Sequence, residues 1–223
     1  MDLKNTRLID MSLALYHGCP SYPRLGTPVV TRTFYRARDG FNAEQLEIST
    51  HCGTHVDTPE HFYDGTGDPV SLPLERFWGL AAILDFRGKA GADKAIGLEE
   101  VRAFDKLIEP GDFVLINTGW NAKRGFNVEY LRKWPYIDGP ASTYFKDKGA
   151  KAVGIDSPSL GGYGTKEKAQ PCHEILLGAG ILILEEVFFP DEVMDGKKRP
   201  VSAFPLKLAG SSASPVRLVA YDF

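Results

Sequence analysis

Residues 181–186 read Ile181-Leu182-Ile183-Leu184-Glu185-Glu186. Four consecutive apolar residues with no polar alternation mark a strand covered on both faces, as in the middle of a parallel sheet. Just upstream, residues 173–177 read as a short helix closed by Gly178, a usual stop for a helix. The stretch is therefore helix, stop, buried strand. The same signal recurs at Phe113-Val114-Leu115-Ile116, in a strand read over residues 113–117, and residues 152–155 read as a further short strand. Between these strands lie further helical candidates. Residues 97–104 carry Glu99 and Glu100 in the first turn and Leu98, Val101 and Phe104 on one stripe. Residues 128–134 stop at Pro135, and residues 142–148 end at Gly149. The first half is different. Residues 8–11, 29–35, 45–50 and 80–86 read as strands, with a further strand over 216–221. Val29-Val30-Thr31-Arg32-Thr33-Phe34-Tyr35 alternates as a half-exposed antiparallel strand does. These signals predict an α/β fold with a mixed β-sheet. No Ser/Gly linker, internal repeat or low-complexity tract divides the chain, so residues 1–223 are expected to form a single domain.

Charge and composition exclude several classes of function. Lys plus Arg is 26 and Asp plus Glu is 29, a formal charge of −3 that leaves no electrostatic footprint for nucleic acid or an anionic membrane. No apolar run approaches the roughly 18–20 residues of a membrane-spanning helix. The opening MDLKNTRLID has charges where a signal peptide has its apolar stretch. Three cysteines, Cys19, Cys52 and Cys172, are too few for a disulfide scaffold, and a reducing cytoplasm is the expected compartment.

Histidine is scarce, yet three of the five fall in Ser49-Thr50-His51-Cys52-Gly53-Thr54-His55-Val56-Asp57-Thr58-Pro59-Glu60-His61-Phe62. A straight strand would put His51 and Asp57 about 20 Å apart, while a helix would pair His51 with His55 but turn Asp57 away. Gly53 and Pro59 supply the means of bending. The expectation is a strand running into a folded loop that gathers imidazoles and a carboxylate around one point. Such nitrogen and oxygen donors are a divalent-metal ligand set, with Zn2+ the default and Mn2+ the alternative. The bland alternative is a surface loop that happens to carry three histidines. His173 and the carboxylates at 185 and 186 are further donors in reach of a strand end, where ligands gather in open α/β sheets. Spacing alone equally admits a helix-start histidine and solvated glutamates.

The element His51-x-Gly53-Thr54-His55-x-Asp57-x-Pro59-x-His61-Phe62 resembles the signature of the metal-dependent cyclase family, which includes bacterial kynurenine formamidases and isatin hydrolases. The resemblance continues through Leu72-Pro73-Leu74, Gly79, Val114-Leu115-Ile116, Thr118-Gly119-Trp120, Gly154-Ile155-Asp156-Ser157-Pro158-Ser159, His173 and Leu184-Glu185. It implies a swivelling β/β/α architecture and a homodimer or homotetramer. It also implies that His51, His55 and Asp57 bind a first metal ion. His173 would bind a second, Asp57 and Glu185 would bridge the two, and His61 would be the general acid/base. The implied activity is cleavage of a small carbonyl substrate, an arylformamide such as N-formylkynurenine, by a water that the metal acidifies. Ring opening of an isatin-like, imide or lactone substrate is the alternative within the family, and a metal-binding protein without catalysis the alternative outside it. Where formamidases carry an aromatic followed by Pro-Gly-Asp against the substrate ring, this chain has Tyr22-Pro23-Arg24-Leu25. Tyr22 is thus the expected substrate-binding residue, with its neighbours altered.

Other features read as structural. Cys52 and Cys172 adjoin proposed ligands but are expected to pack in the core. Lys197-Lys198-Arg199 reads as a solvated turn, Gly161-Gly162-Tyr163-Gly164 as a mobile loop over the site, and His17 as a loop residue. Trp120 follows a buried strand and is a residue that could face the pocket.

Overall fold

The computed structural model describes residues 5–223, so the first four residues of the N-terminal reading lie outside the described residues. In chain order the elements are β1 (Arg7–Asp10), β2 (Val29–Phe34), α1 (Arg36–Asp39), β3 (Ala43–Glu47), β4 (His55–Asp57), β5 (Trp78–Asp85), β6 (Ala95–Ile96), α2 (Leu98–Arg102), β7 (Phe113–Asn117), α3 (Val128–Arg132), β8 (Tyr136–Ile137), α4 (Gly139–Asp147), β9 (Ala152–Ile155), α5 (Lys166–Gly178), β10 (Leu182–Glu185), β11 (Arg199–Ser202), β12 (Ala213–Pro215) and β13 (Val219–Asp222). Nine strands form one sheet in the order β1-β13-β11-β5-β7-β9-β10-β4-β12. The central β5, β7, β9 and β10 are parallel, and the strands on either flank are antiparallel. This is the mixed α/β sheet the apolar runs predict. Each parallel step needs a crossover, and α2, the α3–α4 pair and α5 supply them.

The continuous apolar runs are explained by two cores. Val114, Ile116, Val153, Ile155 and Ile183 point to the face covered by Val101 of α2, Phe145 of α4 and Leu176 of α5. Their neighbours Phe113, Leu115, Ala152, Leu182 and Leu184 point the other way. There they meet Ile9, Val201, Leu218 and Ala220 from the far strands, so the sheet curls to enclose its own second face. Burying alternate residues on opposite faces leaves no position for a polar side chain.

Several boundaries move for identifiable reasons. The short helix read at 173–177 extends back to Lys166 through Pro171, which forfeits one helical hydrogen bond and reads as a break. Helix α4 starts earlier than its apolar stripe suggests, because the Asp138 carboxylate accepts from Ala141 N at 2.8 Å and caps it. The basic run 197–199 is not wholly a solvated turn. Lys198 reaches Asp112 at 2.6 Å, and buried Arg199 opens β11 with Asp195 and Asp222 as partners at 2.7 and 3.0 Å. The Gly161–Gly164 segment is packed rather than loose. A Cβ on Gly161 would run into the Ala169 carbonyl, and the Gly161 carbonyl accepts from Trp134 Nε1 at 2.7 Å. Trp120 is buried in an aromatic cluster with Tyr130 and Trp134 and does not line the cavity described below.

Candidate metal centre

The segment 51–61 folds as turn, strand, turn, rather than as a strand running into a loop. His51 lies in the leading turn, which Gly53 closes at φ +64°. A Cβ at Gly53 would meet the exposed Leu15 side chain, which can move aside, so it is the left-handed backbone that calls for glycine. His55 and Asp57 then occupy β4, the same face of a strand held between β10 and β12. The register sets Glu185 directly opposite His55, which brings the two side chains together. Pro59-Glu60-His61 forms a 3-10 turn that swings the His61 ring back to 4.2 Å from His51, centroid to centroid. His173 arrives from α5.

The donor atoms converge on Asp57. His51 Nδ1 is 2.8 Å and His55 Nε2 3.3 Å from Asp57 Oδ1, and His173 Nε2 is 4.0 Å from Oδ2. Glu185 contributes Oε2 at 3.4 Å from His55 Nε2 and Oε1 at 3.2 Å from His173 Nε2. Two triads close to within 4.8 Å, His51–Asp57–His61 and His55–Asp57–Glu185, with Asp57 common to both. His61 therefore falls in the same group as His51, whereas the resemblance pairs His51 with His55.

The tautomers explain what this arrangement is for. His55 Nδ1 lies 2.7 Å from the Gly53 carbonyl, and His173 Nδ1 lies 2.8 Å from that of Ala169. A carbonyl only accepts, so both Nδ1 atoms carry hydrogen and both Nε2 atoms turn toward carboxylate oxygens. A neutral Nε2 lone pair facing a carboxylate is repulsive unless a proton or a cation stands between. His55 Nε2 and both Asp57 oxygens are buried with no hydrogen-bond partner. Buried polar atoms left unpaired around one point are the signature of a missing cation, and the set fits a divalent metal ion.

The electrostatics agree. Burial opposes charge on Asp57, but His51, His55 and His61 overcome it and hold the carboxyl well below its ordinary range. Burial and Asp57 both raise Glu185, yet His173 and His55 bring it down to about 2. Burial likewise opposes charge on His55 and His173. Asp57 and Glu185 keep the first well above its usual value, and Cys172 and Glu185 do so for the second. His61 differs: burial, with His51 and His173 beside it, pushes its ring down to about 4 against the pull of Asp57. It is neutral at pH 7.

A cavity of about 470 Å3 opens above this floor, lined by Tyr22, Arg24, Leu25, His51, His61, Phe62, Ser159, Ala169, Gln170, His173, Glu185 and Ser212. Tyr22, the expected substrate-binding residue, lines this cavity, its ring 5.8 Å from Trp134 and 6.3 Å from Tyr163. Two serines were not foreseen. Ser159 Oγ donates to Glu185 Oε1 at 2.9 Å, beside Leu160 N at 2.7 Å, and its place after a buried strand was the available signal. Ser212 Oγ lies 3.0 Å from His51 Nε2, a contact made by the β12–β4 pairing and invisible in sequence. Cys52 and Cys172 are buried, free and outside both triads, and burial pushes the Cys52 thiol up to about 12. His17 stays apart in its loop, its Nδ1 accepting from Val30 N.

Known proteins resemble this chain in sequence and in fold. Residues 9–161 match the family model described as "Putative cyclase". Kynurenine formamidase of Geobacillus thermodenitrificans is 34% identical over 211 residues, covering 94% of each chain. A solved protein described as a potential metal-dependent hydrolase with cyclase activity is 28% identical, with a TM-score of 0.77 over 98% of each chain. Isatin hydrolase A of Ralstonia solanacearum shares the fold, with a TM-score of 0.87 over 99% of this chain and 93% of that one, at 20% identity. With a family match across most of the chain and a relative alike from end to end, this protein belongs to the cyclase family of metal-dependent hydrolases.

Proposed function

We propose that this chain is a metal-dependent amide hydrolase whose substrate is an arylformamide, N-formylkynurenine foremost. The observation that carries this reading is the buried cage at the cavity floor: two imidazoles tethered through Nδ1, two carboxylates, and unpaired facing atoms. In this reading His51, His55, Asp57, His173 and Glu185 would hold the metal, whether one ion or two. Zn2+ is the expected metal and Mn2+ the alternative, since oxygen and nitrogen donors are both present. Bound there, a divalent ion supplies Lewis acidity, lowering the pKa of water and polarising a carbonyl oxygen.

The chain's own residues do the rest. Tyr22 and Phe62 offer aromatic walls for a planar ring. Neutral His61 can take the proton that a water loses as it attacks the formyl carbon, and hand it to the departing nitrogen. Its ring lies 5.8 Å from that of His173 and 4.2 Å from that of His51, and it lines the cavity. Ser159 and Leu160 N fix Glu185, and Gly53 and Ala169 fix the two imidazoles, so the donors keep their aim without substrate. An assembly of two or four chains belongs to this reading. The support for it is the β2–β3 hairpin, which leaves Phe34 and Phe41 stacked on each other and exposed. A reducing cytoplasm is supported by three free cysteines.

The test is formate release from N-formylkynurenine by zinc- or manganese-loaded protein, before and after chelation, with isatin as the competing substrate. Chelator-sensitive formamide cleavage is expected. Cleavage of isatin alone would move the assignment to ring opening, and bound metal with no turnover of either would make the protein a metal binder.

A further inference from the structure

The cavity holds one feature that the chemistry at its floor does not use. Arg24 lines it, is exposed, and makes no hydrogen bond or ion pair among the described residues. Other arginines among the described residues are spoken for: Arg7, Arg32, Arg87, Arg199 and Arg217 each meet a carboxylate within 3.0 Å. Glu185 is the one carboxylate among the cavity's lining residues, and it is engaged by His173, Ser159 and Leu160 N. Arg24 therefore presents a permanent, unanswered positive charge to whatever enters. Tyr22, Arg24 and the cage residues His51, His173 and Glu185 line this one cavity, so a ligand whose ring rests on Tyr22 and whose amide lies over the cage has Arg24 within the same walls.

We propose that Arg24 is a specificity-determining residue that receives a carboxylate at the end of the substrate remote from the scissile amide. The planar fork of a guanidinium matches the two oxygens of a carboxylate, and such a contact is made equally in ground and transition states. It should therefore act on KM and leave kcat alone. The inference deepens the amide-hydrolase reading, on which its substrate class rests, but recognition of the anion can be measured without turnover.

Two matched pairs test it. For binding, 4-oxo-4-phenylbutanoate and its primary amide, which lack the formamide, are titrated calorimetrically into the protein. For turnover, 4-(2-formamidophenyl)-4-oxobutanoate and its primary amide are compared on the metal-loaded enzyme. Within each pair the ring is the same and only the terminal charge changes. Wild type is expected to bind the acid at least about fivefold tighter than the amide, and Arg24→Ala to bind the two alike. In turnover, Arg24→Ala should raise KM for the acid about five- to tenfold and leave kcat, and both constants for the amide, within about twofold. Arg24→Lys should retain part of the preference and Arg24→Glu should reverse it. Equal binding of acid and amide by wild type, or an unchanged preference in Arg24→Ala, overturns the inference even if hydrolysis proceeds. A charge preference that vanishes in Arg24→Ala, with no hydrolysis of either formamide, upholds the inference and overturns the hydrolase reading.

Discussion

Asp57 has His51 Nδ1 at 2.8 Å and His55 Nε2 at 3.3 Å on one oxygen, and His173 at 4.0 Å from the other, yet neither oxygen has a hydrogen-bond partner. In the metal-free protein Asp57 and Glu185 favour a proton on His55, and Cys172 and Glu185 favour one on His173, so both stay well above their ordinary range. A metal ion must displace those protons. Affinity is therefore expected to rise with pH and fall on acidification, with net proton release on binding. Calorimetry in buffers of different ionisation enthalpy measures this, and proton-neutral binding would contradict it. His61 stands apart as the neutral ring, and His61→Ala should keep its metal while losing about 10²–10⁴-fold in kcat, the usual worth of a general acid/base. Loss of metal in parallel would make His61 a ligand, a role its grouping with His51 and Asp57 also permits. The rarity of histidine made this cluster legible in the sequence. Spacing alone left Glu185 and Glu186 open, because neighbours share every local signal, and only the family resemblance chose Glu185. The backbone decides it: Glu186 turns to φ +51° and meets Tyr130 Oη at 2.6 Å, leaving Glu185 to face the cage.

At the level of elements, β4 is three residues long and lies between a turn that needs glycine and a turn that starts with proline. Propensity has little to say about so short a strand. Its stability comes from β10 on one side and β12 on the other. The sequence revealed the bends through Gly53 and Pro59 but not their order, since pairing with strands more than a hundred residues away fixes where the extended part falls. Gly53→Ala is expected to cost about 1–2 kcal/mol from the left-handed backbone, since the exposed Leu15 side chain can move aside. It should also weaken metal binding, because the Gly53 carbonyl holds His55 Nδ1. Chemical denaturation and metal titration check the two effects, and wild-type values in both would show that the turn does not set the site. Helix α5 was half legible for a related reason: Pro171 hides its first turns, although the helix carries His173.

Across the whole molecule, the strands that read as continuous apolar runs are those that separate two cores, so Phe113–Asn117 and Ala152–Ile155 were predicted to the residue. Flanking strands such as β11 and β12 were missed because their short antiparallel pairings accommodate Arg, Pro and Ser. Strand order was beyond reach, since the cage depends on β4 pairing with β10 across most of the chain. The exposed β2–β3 hairpin belongs to the same scale. A two-stranded ribbon is marginal alone, and sedimentation is expected to find two or four chains per particle, with Phe34→Ser/Phe41→Ser shifting the balance toward one. A wild-type monomer at micromolar concentration would contradict that. The curled sheet, the turn–strand–turn and the α5–β10 crossover all serve one end, the convergence of His51, His55, Asp57, His173 and Glu185 on a cation. The direct measurement is the metal stoichiometry of stripped and reloaded protein beside that of Asp57→Ala. One or two equivalents of zinc or manganese per chain are predicted for wild type and none for the variant, whereas no uptake by wild type, or equal uptake by both, would contradict the account.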